Sequence, residues 1–286
     1  MKSTTRTDIR VLGIGPESVE CPLPACRQDV LALFRLYKNR QYQADVLTGA
    51  VVTMQSIVIA KDRLYGSDNA ILHHSHHGLL SRDKKTWYLW LGNKENCIPL
   101  DQYVEQIIAP LQKRCGAVTI LMDACFAGRA TKKASGFKKR LPGVPKTVGD
   151  VYDEDMAQES DVACQKAFTG MDNVAVIAAC SARQIAFADC CDYSHGGYGT
   201  LHTDGLSVFS QRAIDVIGRA YEPCSKIDSP QGKALHLANE LRQTVADFLR
   251  SEDTDSWRQS PPRSPMMTVT WKIRPQHKAV LIDRLP

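Results

Sequence analysis

Three things are missing from this 286-residue sequence, and each removes a class of protein. No apolar run approaches the ~20 residues that a helix needs to cross a bilayer, and the opening MKSTTRTDIR has no apolar signal core. A membrane partner is therefore not expected, and the expected location is the cytoplasm. Basic residues and aromatics come together only in short local clusters. Aromatics make up 7% of the chain and the formal net charge is only +5, so nucleic acid is not an expected partner. Finally, none of the ten cysteines forms a C-x-x-C pair, which argues against a zinc knuckle. Without a signal segment, scattered cysteines are expected to be reduced thiols, most of them packing residues.

Histidine is also scarce until one point. None precedes His73, four then fall within residues 73–77 (HHSHH), and the next is His195. The surrounding pattern says where that cluster lies. Apolar segments at 8–14, 44–47, 70–74, 117–122 and 173–180 read as buried strands. Between them, 25–38 carries Val30, Leu33, Phe34 and Tyr37 at helical spacing. Thr53 is placed to cap a helix reaching about Leu64, and Asp101 to cap one over 102–114. Residues 86–91 (TWYLWL) read as a hairpin or edge strand. Helices are expected over 205–218 and 231–250, and a late strand over 267–273. Alternating strands and helices predict an α/β sandwich with a mainly parallel sheet, whose ligands bind beyond the carboxyl ends of the strands. The histidine cluster lies at such an end.

A second strand end carries ILMDACFAG, residues 120–128. A cysteine directly after a buried strand can act as a nucleophile if a base raises its thiolate fraction. His77 precedes Cys125 by 48 residues, enough for one strand–helix crossover between neighbouring strands.

Taken in order, HHSHHG, DACFAG, AACSARQIAFAD (178–189) and GLSVFSQRAI (205–214) resemble the caspase-like cysteine peptidases, metacaspases and their bacterial relatives above all. LPACRQDVLALFRLYKN (23–39) is similar to that family's first helix, and VLTGAVVT (46–53) to its second strand and helix start. The resemblance implies a caspase-like α/β/α sandwich and a cysteine endopeptidase. It implies His77 as general base or acid, Cys125 as nucleophile, and an oxyanion hole from the backbone N–H groups of Gly78 and Cys125. It also implies that Asp123 lines an acidic pocket for arginine or lysine at the cleavage position. The partner is then a protein substrate with a basic cleavage residue.

The chain departs from the family pattern at three positions. His76 replaces a glycine, Ala127 replaces a serine, and Arg183 stands where relatives supply a second pocket acid. Arg183, if directed into the pocket, neutralises Asp123 and moves the preference toward acidic or small residues. The connection over about 129–172 begins basic (132–146) and turns acidic (150–161). Such a length suits a processing loop. Lys139 and Arg140 are its expected cleavage positions, in cis or by an upstream protease, which makes the chain a candidate zymogen in a cell-death or antiviral defence cascade. The acidic half offers oxygens to calcium but lacks EF-hand spacing, so no cofactor is expected. Two alternatives stay open. One is a zinc hydrolase using His74 and His76, which lacks downstream histidine ligands; the other is a caspase fold that serves as a silent scaffold. Residues 1–286 are expected to form one domain, with about 221–286 as an extension of open role.

Overall fold

A computed structural model describes residues 7–17, 23–80, 86–92, 96–124, 170–180, 186, 205–219, 238–247 and 269–272. Strands β1 (Ile9–Gly15), β2 (Gln43–Thr48), β3 (Asn69–Ser75), β7 (Ala117–Asp123) and β8 (Val174–Ala178) run parallel. Strand β9 (Thr270–Lys272) closes one edge antiparallel to β8, and the order is β2-β1-β3-β7-β8-β9. A second sheet holds β4 (His77–Leu80), β5 (Trp87–Trp90) and β6 (Cys97–Pro99), all antiparallel, with β5 in the middle. TWYLWL therefore pairs antiparallel with the strand before it, as a hairpin does, and lies at the centre of a small sheet and not at an edge.

Every residue of β3 and β7 is buried, as expected where helices cover both faces of a parallel sheet. Alternation then divides the core. Leu72, Ile120, Met122 and Val176 pack with Ile57, Tyr103, Ile107 and Leu111 on one face. Ile71, Leu121 and Ile177 pack with Leu33, Tyr37, Phe209 and Ala213 on the other. The first face is covered by α2 (Met54–Lys61) and the helical run α3 (Leu100–Tyr103), a π-helical segment (Val104–Ile108) and α4 (Ala109–Arg114). The second is covered by α1 (Ala25–Asn39) and α5 (Val208–Arg219). Ala238, Leu241 and Val245, in a helical stretch over 238–247, join the same layer.

Local chemistry sets these elements. Thr53 and Ser56 form a reciprocal capping box at the start of α2: Ser56 N donates to Thr53 Oγ1 at 3.1 Å, and Thr53 N donates to Ser56 Oγ at 2.9 Å. Asp101 does not cap its helix. It lies in the first turn, where its charge favours the helix N-terminus, while Pro99 occupies the cap without a side-chain bond. Pro110 explains the π segment. It has no N–H to donate and its ring crowds the preceding turn, so the chain widens and Ala109 N bonds back five residues to Val104 O.

Helix α1 lies close against β1 because Gly15 has no side chain. A Cβ there would sit 2.4 Å from the Cys26 carbonyl oxygen and 2.7 Å from Val30 Cγ2. Gly15→Ala is expected to cost about 2 kcal/mol of stability through overpacking, read as a lower denaturant midpoint with an unchanged slope.

Candidate active site

The carboxyl ends of β3 and β7 lie side by side, with Ser75 in register with Asp123. The chain then turns at His76, whose N–H donates to the Asp123 carbonyl at 3.1 Å. It enters β4 at His77, which pairs across the small sheet with Trp90. The two rings lie 5.1 Å apart at 37°, so the indole sets one side of the half-buried imidazole. Gly78 follows, buried and opposite Leu89. On the other strand the chain leaves β7 through Ala124, whose carbonyl accepts from the Cys180 thiol at 3.2 Å. Cys125 comes next in sequence and lies outside the described residues, as do Arg183, Lys139, Arg140 and the acidic run 150–161.

A pocket opens at this junction, lined by Asp29, Ser75, His77, Asp123, Ala124 and Ser207 among others. Asp123 faces it and is 3% exposed. Asp29, from α1, is fully buried beside it and was not picked out from sequence. A signal was there: Ala25, Cys26, Asp29, Val30, Leu33 and Tyr37 form the buried stripe of α1, and one member is an acid.

Both carboxylates are held by hydroxyls and one backbone amide. Ser75 Oγ donates to Asp29 Oδ2 at 2.6 Å, and Ser207 N donates to Asp29 Oδ1 at 2.8 Å. Asp123 Oδ2 accepts from Ser210 Oγ at 2.8 Å and also from Ser207 Oγ. Ser207 thus joins the two acids, and its hydroxyl also accepts the Ser210 N–H at 3.2 Å, capping α5.

Burial raises Asp29 well above the usual carboxylate range, and the neighbouring Asp123 charge pushes it further; the Ser75 and Ser207 bonds act against this. Burial brings Asp123 up to about 6, opposed by its serine donors. The folded chain therefore holds protons that the unfolded chain releases above its ordinary carboxylate value, and this stabilisation is lost as pH rises toward 6. Asp123→Asn removes that loss. It is expected to gain about 2–3 kcal/mol over the wild type at pH 8, or roughly 5 °C in melting temperature. The gain should vanish near pH 4, and differential scanning fluorimetry across that range reads it directly.

The remaining histidines of the cluster are structural in placement. His73 and His74 lie inside β3, fully buried. Burial lowers His73 to about 3, His76 to about 4 and His74 well below its ordinary value, so all three rings are neutral at pH 7. Their effect on stability has the opposite sign to that of the acids, since the unfolded chain binds these protons first as pH falls. His74 Nε2 meets the Tyr103 hydroxyl at 2.6 Å, and His76 Nδ1 meets the His77 carbonyl at 2.9 Å. Each ring thus keeps one nitrogen without a partner, Nδ1 of His74 and Nε2 of His76. Among the described residues no group of three or more histidine, cysteine or acidic side chains is arranged to hold a metal.

A mainly parallel sheet with one antiparallel edge, helices on both faces and a small antiparallel sheet beyond its carboxyl end make an α/β/α sandwich like that of solved caspase structures. No family model and no curated protein matches the sequence. Solved structures do match the fold. Caspase-1 from Spodoptera frugiperda is 11% identical with a TM-score of 0.51, over 94% of this chain and 86% of that one. The Drosophila initiator caspase Dronc is 8% identical with a TM-score of 0.52, over 96% and 83%.

Proposed function

We propose that this chain is a cysteine endopeptidase that cleaves protein substrates after arginine or lysine, with His77 and Cys125 as its dyad. The observation that carries the reading is the pairing of Asp29 and Asp123 in one pocket beside His77. Two acids buried together repel each other, and a cationic side chain entering between them relieves that repulsion and draws both toward the ionised form. A neutral or acidic side chain offers no such compensation.

In this reading the Cys125 thiolate attacks the carbonyl carbon after the basic residue, and the C=O electrons move to oxygen. The N–H groups of Gly78 and Cys125 stabilise that oxyanion. As the tetrahedral species collapses, the C–N bond breaks and His77 gives a proton to the departing amine. His77 then takes a proton from water, which attacks the thioester and restores Cys125. The 132–146 loop supplies an activating cut at Lys139 or Arg140, by the chain itself or by an upstream protease. A cytoplasmic cell-death or defence cascade is the setting such a single-cut enzyme suits.

The test is an assay of the purified chain on peptides ending in arginine, lysine or aspartate, with Cys125→Ala beside it and intact mass followed over time. Cleavage after arginine or lysine, absent in Cys125→Ala, is expected. Cleavage after aspartate overturns the acidic-pocket reading and gives the pocket to Arg183. Silence of both the intact chain and a version cut within 132–146 leaves the scaffold reading in its place.

A further inference from the structure

Ser210 does more than hold Asp123. Its hydroxyl oxygen also lies 3.1 Å from His73 Nε2, a buried ring one strand residue pair back from the pocket. The proton positions follow from counting donors. Ser210 has one hydroxyl proton, and the Asp123 carboxylate, 2.8 Å away, accepts it. The Ser210 oxygen must then accept from His73, so the neutral ring carries its proton on Nε2. That leaves Nδ1 as a bare acceptor, and Nδ1 is the ring nitrogen without a partner. The alternative tautomer would bury an N–H donor with nothing to meet, the costlier arrangement.

Donors therefore run one way, from His73 Nε2–H to Ser210, and from Ser210 O–H to Asp123 Oδ2. Each bond polarises the next in a dry interior. The Ser207 hydroxyl meets the same oxygen. Both hydroxyls converge on Oδ2.

Resting on the proposed basic-specificity pocket, the geometry points to His73, acting through Ser210, as the positioning residue that fixes the Asp123 carboxylate for a cationic side chain. Among the described residues, few polar groups face Asp123. Asp29 comes from α1, Ser207 from the cap of α5 and Ser210 from α5 itself, His73 through Ser210 from β3, and His76 and His77 stand beyond the strand ends. Of these, His73 is the one whose ring contributes a proton donor to the acid's hydrogen-bond chain without lining the pocket. It belongs to the specificity machinery and touches no substrate.

The experiment uses the full chain and three variants: His73→Leu, which removes the donor; His73→Gln, whose amide nitrogen reaches the place of Nε2; and Ser210→Ala, which breaks the chain with the smallest change of shape. Two quantities are read. One is the titration of the Asp123 carboxyl carbon by NMR. The other is binding of benzamidine, a planar cation, from pH 5.5 to 8.

His73→Leu and Ser210→Ala are expected to move the Asp123 midpoint upward by about one unit, with benzamidine binding about tenfold weaker at pH 6. The loss should shrink toward pH 8, and His73→Gln should return to near wild type. The double variant His73→Leu/Ser210→Ala should be no worse than either single one. Overturning results are an unmoved midpoint in His73→Leu and Ser210→Ala, a binding loss equal at every pH, or a His73→Gln variant as impaired as His73→Leu. If His73→Leu fails to fold, His73→Phe, which fills the site with a ring that carries no donor, takes its place. Wild-type chain that binds no benzamidine defeats the basic-pocket reading, while the carboxyl titration still decides whether His73 acts on Asp123.

Discussion

Asp29→Asn and Asp123→Asn are each expected to lower kcat/KM for peptides cleaved after arginine by roughly 10²–10³-fold at pH 8. The estimate follows from the ~3–5 kcal/mol lost when one partner of a buried ion pair is removed, at about 1.4 kcal/mol per tenfold. Neither residue is more than 3% exposed, so solvent cannot replace the missing charge. The loss should be selective. Turnover of poor substrates with neutral cleavage residues should change little, and Cys125 should react with iodoacetamide at the wild-type rate. Asp123→Asn has a second signature, since the same variant should melt higher than wild type at pH 8. A variant that gains stability and loses one class of substrate separates a binding role from a structural one. A uniform loss over all substrates, with slowed alkylation, would mean that the pair supports the fold around the nucleophile instead.

His77→Ala is expected to lower kcat by about 10³–10⁴-fold, the range that removal of a positioned acid–base group and its attendant thiolate activation gives. KM should move by less than a few-fold, because the pocket acids stand on α1 and β7 while His77 begins β4. The rate of Cys125 alkylation against pH is the sharper measurement. Wild type should show a thiolate population well below the ordinary cysteine range, and His77→Ala should shift that limb upward toward about 8.5. Trp90→Phe, which keeps a ring against His77, should be mild by comparison. Equal alkylation profiles in wild type and His77→Ala would remove His77 from the dyad.

The frame of this fold was legible in the sequence because buried parallel strands read as continuous apolar runs. AVTILM and NVAVIAAC announce β7 and β8 without ambiguity. TWYLWL was harder. A strand central to a three-stranded sheet and one at an edge carry the same alternation over four residues, and only partners distant in sequence decide between them. Asp101 illustrates the limit of capping rules: an acid at the first turn and an acid at the cap look alike until the preceding proline's backbone is seen. At the site, His77 and Asp123 could be singled out because each lies at the carboxyl end of a buried apolar run. Asp29 could not, since its partner Asp123 lies 94 positions away and helix periodicity alone reads the position as a misplaced polar residue. His73 falls inside an apolar run, and its burial in β3 is what that run implies. What the sequence could not carry is the hydroxyl of Ser210, 137 positions on, that turns a buried ring into a donor.

Ser207 gives the pocket a kinetic character. The residue that spans Asp29 and Asp123 is also the first-turn cap of α5, so fraying of that helix and opening of the pocket are one local event. Amide hydrogens in the first turn of α5 should then exchange in step with release of whatever occupies the acids, as a single cooperative unit. The floor of the pocket is a helix end, and residence times there are expected to follow how often that end lets go.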